Sequence, residues 1–449
     1  MNIKSLGLLL ILIVLCGCSK EESKYLEEKT EISINDNDLF LSNTEHNQWI
    51  YNQMSELYFW YKDMPKSDEL NFGIEPENFF KKLLSNKDRF SWCEINSNYQ
   101  GVSSTSYATL PDEIGFEYQA YQDMLHNTVY EVLYITEDEV FLSGIARGDW
   151  LKVVSQTGDS FVFEKGIIRN DVFVATTENI VISLAATRSN KTVYMDSIYI
   201  IGQKKIGYMV YLEFDEKIDI IPTFKYFKQN NINELILDLR YNPGGYVSTC
   251  SFLSALIVKN SALGKPFQLQ EYNDIQSSFY YTNYGDSVLV ENIPNSSVAV
   301  QNNLNLNKLY VITSNHTASA SEAVIIGLRP YMDVIVIGDV TTGKGVGSHT
   351  IANSAYKYQL QPITFRYYNM QHQTVPDEGL IPDYHINETY SKLDLGNINE
   401  PLLNVSLSIV SGNNAISNTF FKATSSVYSR LTKIGDASFV RKYKEHNIN

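Results

Sequence analysis

Leu309-Tyr310-Val311-Ile312-Thr313, then Thr317-Ala318-Ser319-Ala320-Ser321-Glu322, then Ala323-Val324-Ile325-Ile326-Gly327-Leu328: this run decides the fold. The first five residues, apolar and β-branched, predict a short buried strand, and the last six an apolar helix. The small residues between them let a serine hydroxyl stand exposed at a helix N-terminus. There, free N–H groups and the positive end of the helix dipole stabilise an oxyanion. A second strand, Val334-Ile335-Val336-Ile337-Gly338, leads into Thr341-Thr342-Gly343-Lys344-Gly345. A serine needs a base to become a nucleophile, and a lysine whose charge is disfavoured by burial can serve. Ser319 and Lys344 are therefore candidates for the Ser-Lys form of serine hydrolase chemistry.

Working upstream, Leu235-Ile236-Leu237-Asp238-Leu239-Arg240-Tyr241-Asn242-Pro243-Gly244-Gly245 predicts a buried strand ending in a turn with adjacent glycines. Such a turn aims backbone N–H groups at a reacting oxygen. Taken in order, Asp-Leu-Arg, Asn-Pro-Gly-Gly, Ser-Ala-Ser-Glu and Gly-Lys-Gly resemble the C-terminal processing peptidases, or tail-specific proteases, over roughly residues 206–383. The resemblance implies Ser319 as nucleophile and Lys344 as general base. It implies an oxyanion hole from the N–H groups of Gly244 and Ala320, with Gly245 beside the substrate. Many members carry a glutamine four positions after the lysine to orient it. This chain has Ser348, so either that hydroxyl does the work or the lysine is positioned otherwise.

The 449 residues allow two to four domains, and 44% hydrophobic with 19% charged residues is ordinary globular composition. A formal net charge of −15 argues against nucleic acid as a partner, since phosphate binding needs a basic surface. Lys4 precedes an apolar run from Leu6 to Leu15 that is too short to span a bilayer. The run ends in Leu15-Cys16-Gly17-Cys18, which resembles a bacterial lipoprotein signal with Cys18 as the lipidated residue. That resemblance implies a membrane-anchored protein of the bacterial cell envelope, on the periplasmic or surface face of the outer membrane. Cys93 and Cys250 remain as thiols whose pairing the sequence leaves open. No metal-ligand spacing occurs among the 7 His, and no cofactor is implied.

The expected domains are a signal ending at the lipidated cysteine (1–18), a polar tether (19–44) and a small helical domain (45–95). A β-rich domain (102–195), an α/β core (198–394) and a C-terminal helical segment with a tail (395–449) follow. In the helical domain Trp49, Ile50, Met54, Leu57, Tyr58 and Tyr61 fall near helical spacing and read as core, with no chemistry assigned. In the β-rich domain Ser143-Gly144-Ile145-Ala146-Arg147-Gly148-Asp149-Trp150 resembles the PDZ signature. In that family Gly115-Phe116 would lie in the loop that takes a peptide's terminal carboxylate, and the peptide adds as a strand. Residues 259–307, polar and rich in Asn, Ser and Tyr, read as an excursion near the cleft.

Rival chemistries are weaker. Gly338 to Lys344 fits most of a P-loop, but Gly345 stands where Ser or Thr must hold magnesium. A histidine base would have to be His316 or His349, and no Gly-x-Ser-x-Gly elbow is present. A non-catalytic peptide-binding lipoprotein on the same scaffold is the alternative from another class. The expectation is a Ser-Lys endopeptidase, an α/β core with a helical N-terminal domain and a PDZ-like domain, acting on protein or peptide substrates through their C-terminal tails.

Overall fold

The computed structural model describes residues 41–95, 110–137, 140, 142–176, 179–185, 191–353, 355–356, 358–388, 392–412, 431–435 and 437–438. Cys18 and the expected signal and tether up to residue 40 lie outside them. A six-stranded sheet organises the core. Its order is Tyr384–His385, Asp333–Gly338, Lys308–Thr313, Glu234–Asp238, Lys204–Tyr211 and Val193–Ile201. All neighbours run parallel except the last pair, which is antiparallel. Alternation along each strand feeds two apolar layers, as period-two side-chain direction requires. Met209, Leu235, Leu237, Leu309, Val311 and Val336 pack under the helices Lys217–Gln229, Val247–Ile257 and Ala320–Leu328. Tyr208, Val210, Ile236, Tyr310, Ile312 and Ile337 face the helix Pro401–Ser411 on the other side.

The chain enters this sheet at Val193, so residues 193–195 belong to the core strand and not to the β-rich domain, whose expected end was residue 195. Residues 259–307 are more ordered than a polar excursion. Pro266–Tyr272 is a strand of a second, four-stranded sheet with Val290–Asn292, Ile363–Tyr368 and Val346–Ser348, and Leu304 and Leu306 bond back to Leu256 and Ile257.

The N-terminal domain holds helices Asn43–Leu57 and Pro76–Leu83. Ser42 caps the first: its hydroxyl accepts from Glu45 N–H while the Glu45 carboxylate accepts from Ser42 N–H. Of the residues predicted as core, Trp49, Ile50, Met54 and Tyr58 are buried and Tyr61 packs half-buried against them, while Leu57 is half-buried outside this cluster; Val346, Leu360 and Ile363 join it from the later part of the chain. The strand Trp92–Ile95 continues the domain as an antiparallel partner of Tyr358–Gln361. Cys93 and Cys250 are unpaired thiols.

The β-rich domain is a seven-stranded sheet. Glu113 and Ile114 sit in a short 3-10 turn, Gly115 takes φ +83, and Phe116–Gln122 is the strand. Phe116 is buried, and the Gly115 carbonyl accepts from Thr136 and Glu137. The C-terminal segment returns to this strand. Thr432 and Lys433 pair antiparallel with Gln122 and Tyr121, Ile434 N–H bonds Ala120 O at 2.9 Å, and Ser438 Oγ accepts Tyr118 N–H at 2.7 Å. A buried ionic cluster ties domain to core. Arg240 bonds Asp238, Glu388 and Glu400; Arg147, from the Gly-Asp signature, bonds Glu388 and Tyr241; Lys392 bridges Glu131 and Glu388. Desolvation opposes the charge, but these cations hold the Glu388 carboxyl well below the ordinary carboxylate range, so it is ionised in its half-buried place.

Candidate active site

Three turns at the C-terminal ends of the core strands meet. The glycine turn is laced to the serine turn by backbone and hydroxyl groups. Thr317 Oγ1 donates to Leu239 O at 2.8 Å, Ala318 N–H to Asn242 O at 3.2 Å, and Ser321 Oγ to Asn242 O at 3.0 Å. Gly244 and Gly245 are required sterically. A Cβ on Gly244 would fall 2.7 Å from Ser319 Cβ, and one on Gly245 would fall 2.3 Å from Phe214 O. The Gly244 backbone therefore lies directly against the serine. Its N–H donates to Asn242 Oδ1 at 2.9 Å, so any bond to a substrate oxygen shares that proton. Ala320 opens the helix Ala320–Leu328, where no helical carbonyl precedes its N–H.

Ser319 is half-buried and sits at φ 56, ψ −116. This is the conformation of the first central residue of a II′ turn, a position dominated by glycine. A serine held there stores strain, of order 1–3 kcal/mol.

Glu322 joins the serine to the lysine. Fully buried, its carboxylate accepts from Ser319 N–H at 2.9 Å, Lys344 N–H at 2.8 Å, Gly343 N–H at 2.8 Å and the Thr341 hydroxyl at 2.5 Å. Burial pushes its carboxyl up and these four donors pull it back. On the far side of the same pair, the Tyr367 hydroxyl lies 3.1 Å from Ser319 O and 3.0 Å from Lys344 O. The backbones of residues 319 and 344 are thus clamped together through both their N–H and C=O groups. In the sequence Glu322 stands in the serine turn with no role assigned to it. The signal was present, since Glu three positions after a serine N-cap is the spacing of a capping box.

Lys344 is half-buried, with Nζ 5.5 Å from the centroid of the Phe90 ring. Ser348 Oγ accepts from the side-chain amide of Gln361 at 2.9 Å, and the Gln361 carbonyl oxygen accepts from Thr350 Oγ1 at 2.6 Å. A glutamine amide is therefore present beside Ser348, delivered by the neighbouring strand region. His349 Nδ1 lies 2.7 Å from Thr364 Oγ1, and its ring stacks on Tyr272. Gly115 and Phe116 lie in the β-rich domain, at the start of its strand Phe116–Gln122. Among the described residues no group of three or more His, Cys, Asp or Glu is placed to hold a metal ion.

The model of Peptidase family S41 matches residues 205–386, and that of the Peptidase S41 N-terminal domain matches residues 45–92. Among solved structures, the chain is similar to one from Bacteroides fragilis NCTC 9343 assigned to the S41 proteases. Identity is 25%, covering 81% of this chain and 97% of that chain, with a TM-score of 0.65. It also matches the photosystem II D1 C-terminal processing protease at 15% identity, over 79% of this chain and 95% of that one, with a TM-score of 0.46. Mature CPAF complexed with lactacystin matches at 9% identity, over 83% and 97%, with a TM-score of 0.44.

Proposed function

We propose, from the premise that this chain belongs to peptidase family S41 and is a serine peptidase, that Ser319 and Lys344 are its catalytic dyad. We further propose that it cleaves proteins near their C-terminal tails while lipid-anchored through Cys18 in a bacterial cell envelope. The observation that supports the dyad most is the Glu322 clamp, which accepts the N–H groups of both residues. Lys344 takes the Ser319 proton as Oγ attacks the scissile carbonyl. The oxyanion then meets the N–H groups of Ala320 and Gly244. Lys344 returns the proton to the leaving amine, and the acyl-enzyme remains. Water, deprotonated by Lys344, hydrolyses it. Ser348 Oγ accepts a hydrogen bond from Gln361 with one lone pair and has a second to accept an N–H of the lysine amine, which orients the amine and leaves its own lone pair for the Ser319 proton. A fluorophosphonate probe followed by peptide mapping is expected to label Ser319. A label mapped to any other residue sinks the assignment.

Anchoring carries its own prediction. Cys18→Ala is expected to move the signal-cleaved protein from the membrane fraction to the soluble one, because the apolar run of residues 6–15 is too short to hold it. A processed variant that still sediments with membranes counts against lipidation.

Tail recognition by strand addition would use the edge of Phe116–Gln122 that starts at Gly115. Thr432, Lys433, Ile434 and Ser438 bond along that edge, so a substrate tail adding there must displace them. A chain ending at Gly412 is therefore expected to show a several-fold lower KM for peptides with a free C-terminal carboxylate. Thermal unfolding establishes that the shortened chain is folded. If it is folded and KM is unchanged, tails do not dock at this edge.

A further inference from the structure

The N-terminal domain reaches the lysine turn through one short loop, Asp88-Arg89-Phe90-Ser91. Asp88 fixes that loop. Its Oδ1 accepts from Phe90 N–H and Ser91 N–H, each at 2.9 Å, and its Oδ2 accepts from the Tyr58 hydroxyl at 2.8 Å and the Ser91 hydroxyl at 2.5 Å. Ser91 Oγ in turn accepts Ile363 N–H at 2.8 Å, so the loop is bolted to the catalytic side as well as to its own helix.

What the loop presents is aimed at the turn that carries Lys344. Arg89 Nη2 donates to Gly343 O at 2.9 Å and Asp377 O at 2.8 Å, with Thr342 O further off at 3.5 Å. Gly343 and Asp377 are pressed together there. Gly343 holds φ +81, and a Cβ on it would fall 2.2 Å from Asp377 O. The guanidinium therefore grips two carbonyls of turns that touch, one of them on the residue just before the lysine. The Phe90 ring is shared, with Arg89 Cζ 4.8 Å and Lys344 Nζ 5.5 Å from its centroid. The two cations consequently lie within about 10 Å of one another.

We propose that Arg89 is a positioning residue for Lys344, carried on a Phe90 platform, so that the N-terminal domain is a working part of the active site. The inference rests on Lys344 being the base. Two effects act together. Charge-assisted bonds to the carbonyls hold the lysine turn in one conformation. A second cation nearby also disfavours the ammonium form of the lysine, the direction a general base needs. Other charged or titratable groups face the lysine turn too. Glu322, on the nucleophile helix, takes the Lys344 N–H, and Tyr367 is a phenol that burial holds well above its ordinary range. Asp377 and Glu378 stand on the facing turn. His349, beyond Ser348, is turned to Thr364, and Arg366 lies over Phe59 instead.

The test compares Arg89→Met and Arg89→Lys in the full chain, by the pH profile of kcat and KM on an unstructured peptide. Arg89 is exposed, so neither change removes core packing. Arg89→Met is expected to lower kcat about tenfold near neutral pH with KM nearly unchanged, and to move the rising limb upward by roughly half to one pH unit. Arg89→Lys, which keeps the charge but withdraws the longer side chain whose Nη2 reaches both carbonyls, is expected to restore the limb but only part of kcat. A limb that stays put in Arg89→Met, or a loss confined to KM, overturns the proposal. Should the methionine variant fail to fold, the lysine variant decides alone, and a kcat equal to wild type overturns it. Lys344→Arg separates the two layers. If that variant is active, the base assignment has failed. If it is inactive while the Arg89→Met limb is unmoved, only the role of Arg89 has failed.

Discussion

Ser319→Ala is expected to reduce peptide cleavage by about four to six orders of magnitude in kcat, as removal of an acyl-transfer nucleophile does. The fold should be kept, because the hydroxyl is the only group lost and the Glu322 bond uses the backbone N–H. Ser319→Gly should be equally inactive but more stable. The site demands φ 56 with ψ −116, which glycine adopts at little cost and alanine does not. The glycine variant is expected to exceed the alanine variant by about 1 kcal/mol, a rise of a few degrees in Tm, after allowing for the extra entropy of unfolded glycine. Paired kinetics and thermal unfolding check both statements. Wild-type turnover in Ser319→Ala removes Ser319 as nucleophile. A glycine variant no more stable than the alanine one means the backbone strain is not stored at this residue.

The parts of this site visible in the sequence are those whose cause is local. Leu309 to Thr313 and Val334 to Gly338 read as strands because burial on both faces makes them continuously apolar. The serine and glycine turns were legible because each is punctuation between such runs. The role of Glu322 was half-legible: its spacing from Ser319 is local, but its bonds to Gly343 and Lys344 come from a turn more than twenty residues away. Arg89 gave no signal. An arginine in a polar loop normally reads as solvated, and its partners lie about 250 residues on. The return of Thr432 and Lys433 to the β-rich sheet was likewise invisible, since two paired residues are too few to establish a period. The core began at Val193 rather than 198 because that strand is half-buried along most of its length and carries little apolar contrast.

Lys344→Arg is expected to be inactive across the pH range, and the reason lies in how the lysine is held. The Glu322 and Tyr367 clamp uses the N–H and C=O of residue 344, so it is indifferent to the side chain. An arginine there keeps the turn, the charge and roughly the reach. What it lacks is a proton it can give up, because a guanidinium does not deprotonate in proteins. A free lysine amine has a pKa near 10.4, and only its neutral form accepts the serine proton, so wild-type kcat/KM should rise with pH as that form is populated. A histidine base would instead give a limb at about pH 6 to 7 and leave Lys344→Arg largely active. The geometry disfavours His349 in that role, since its Nδ1 faces Thr364 and its ring is stacked on Tyr272. The measurement is kcat/KM against pH on an unstructured peptide for both proteins. A clear ascending limb in the wild type and none in the arginine variant identifies the amine as the base. Substantial activity in Lys344→Arg would transfer that role to His316 or His349.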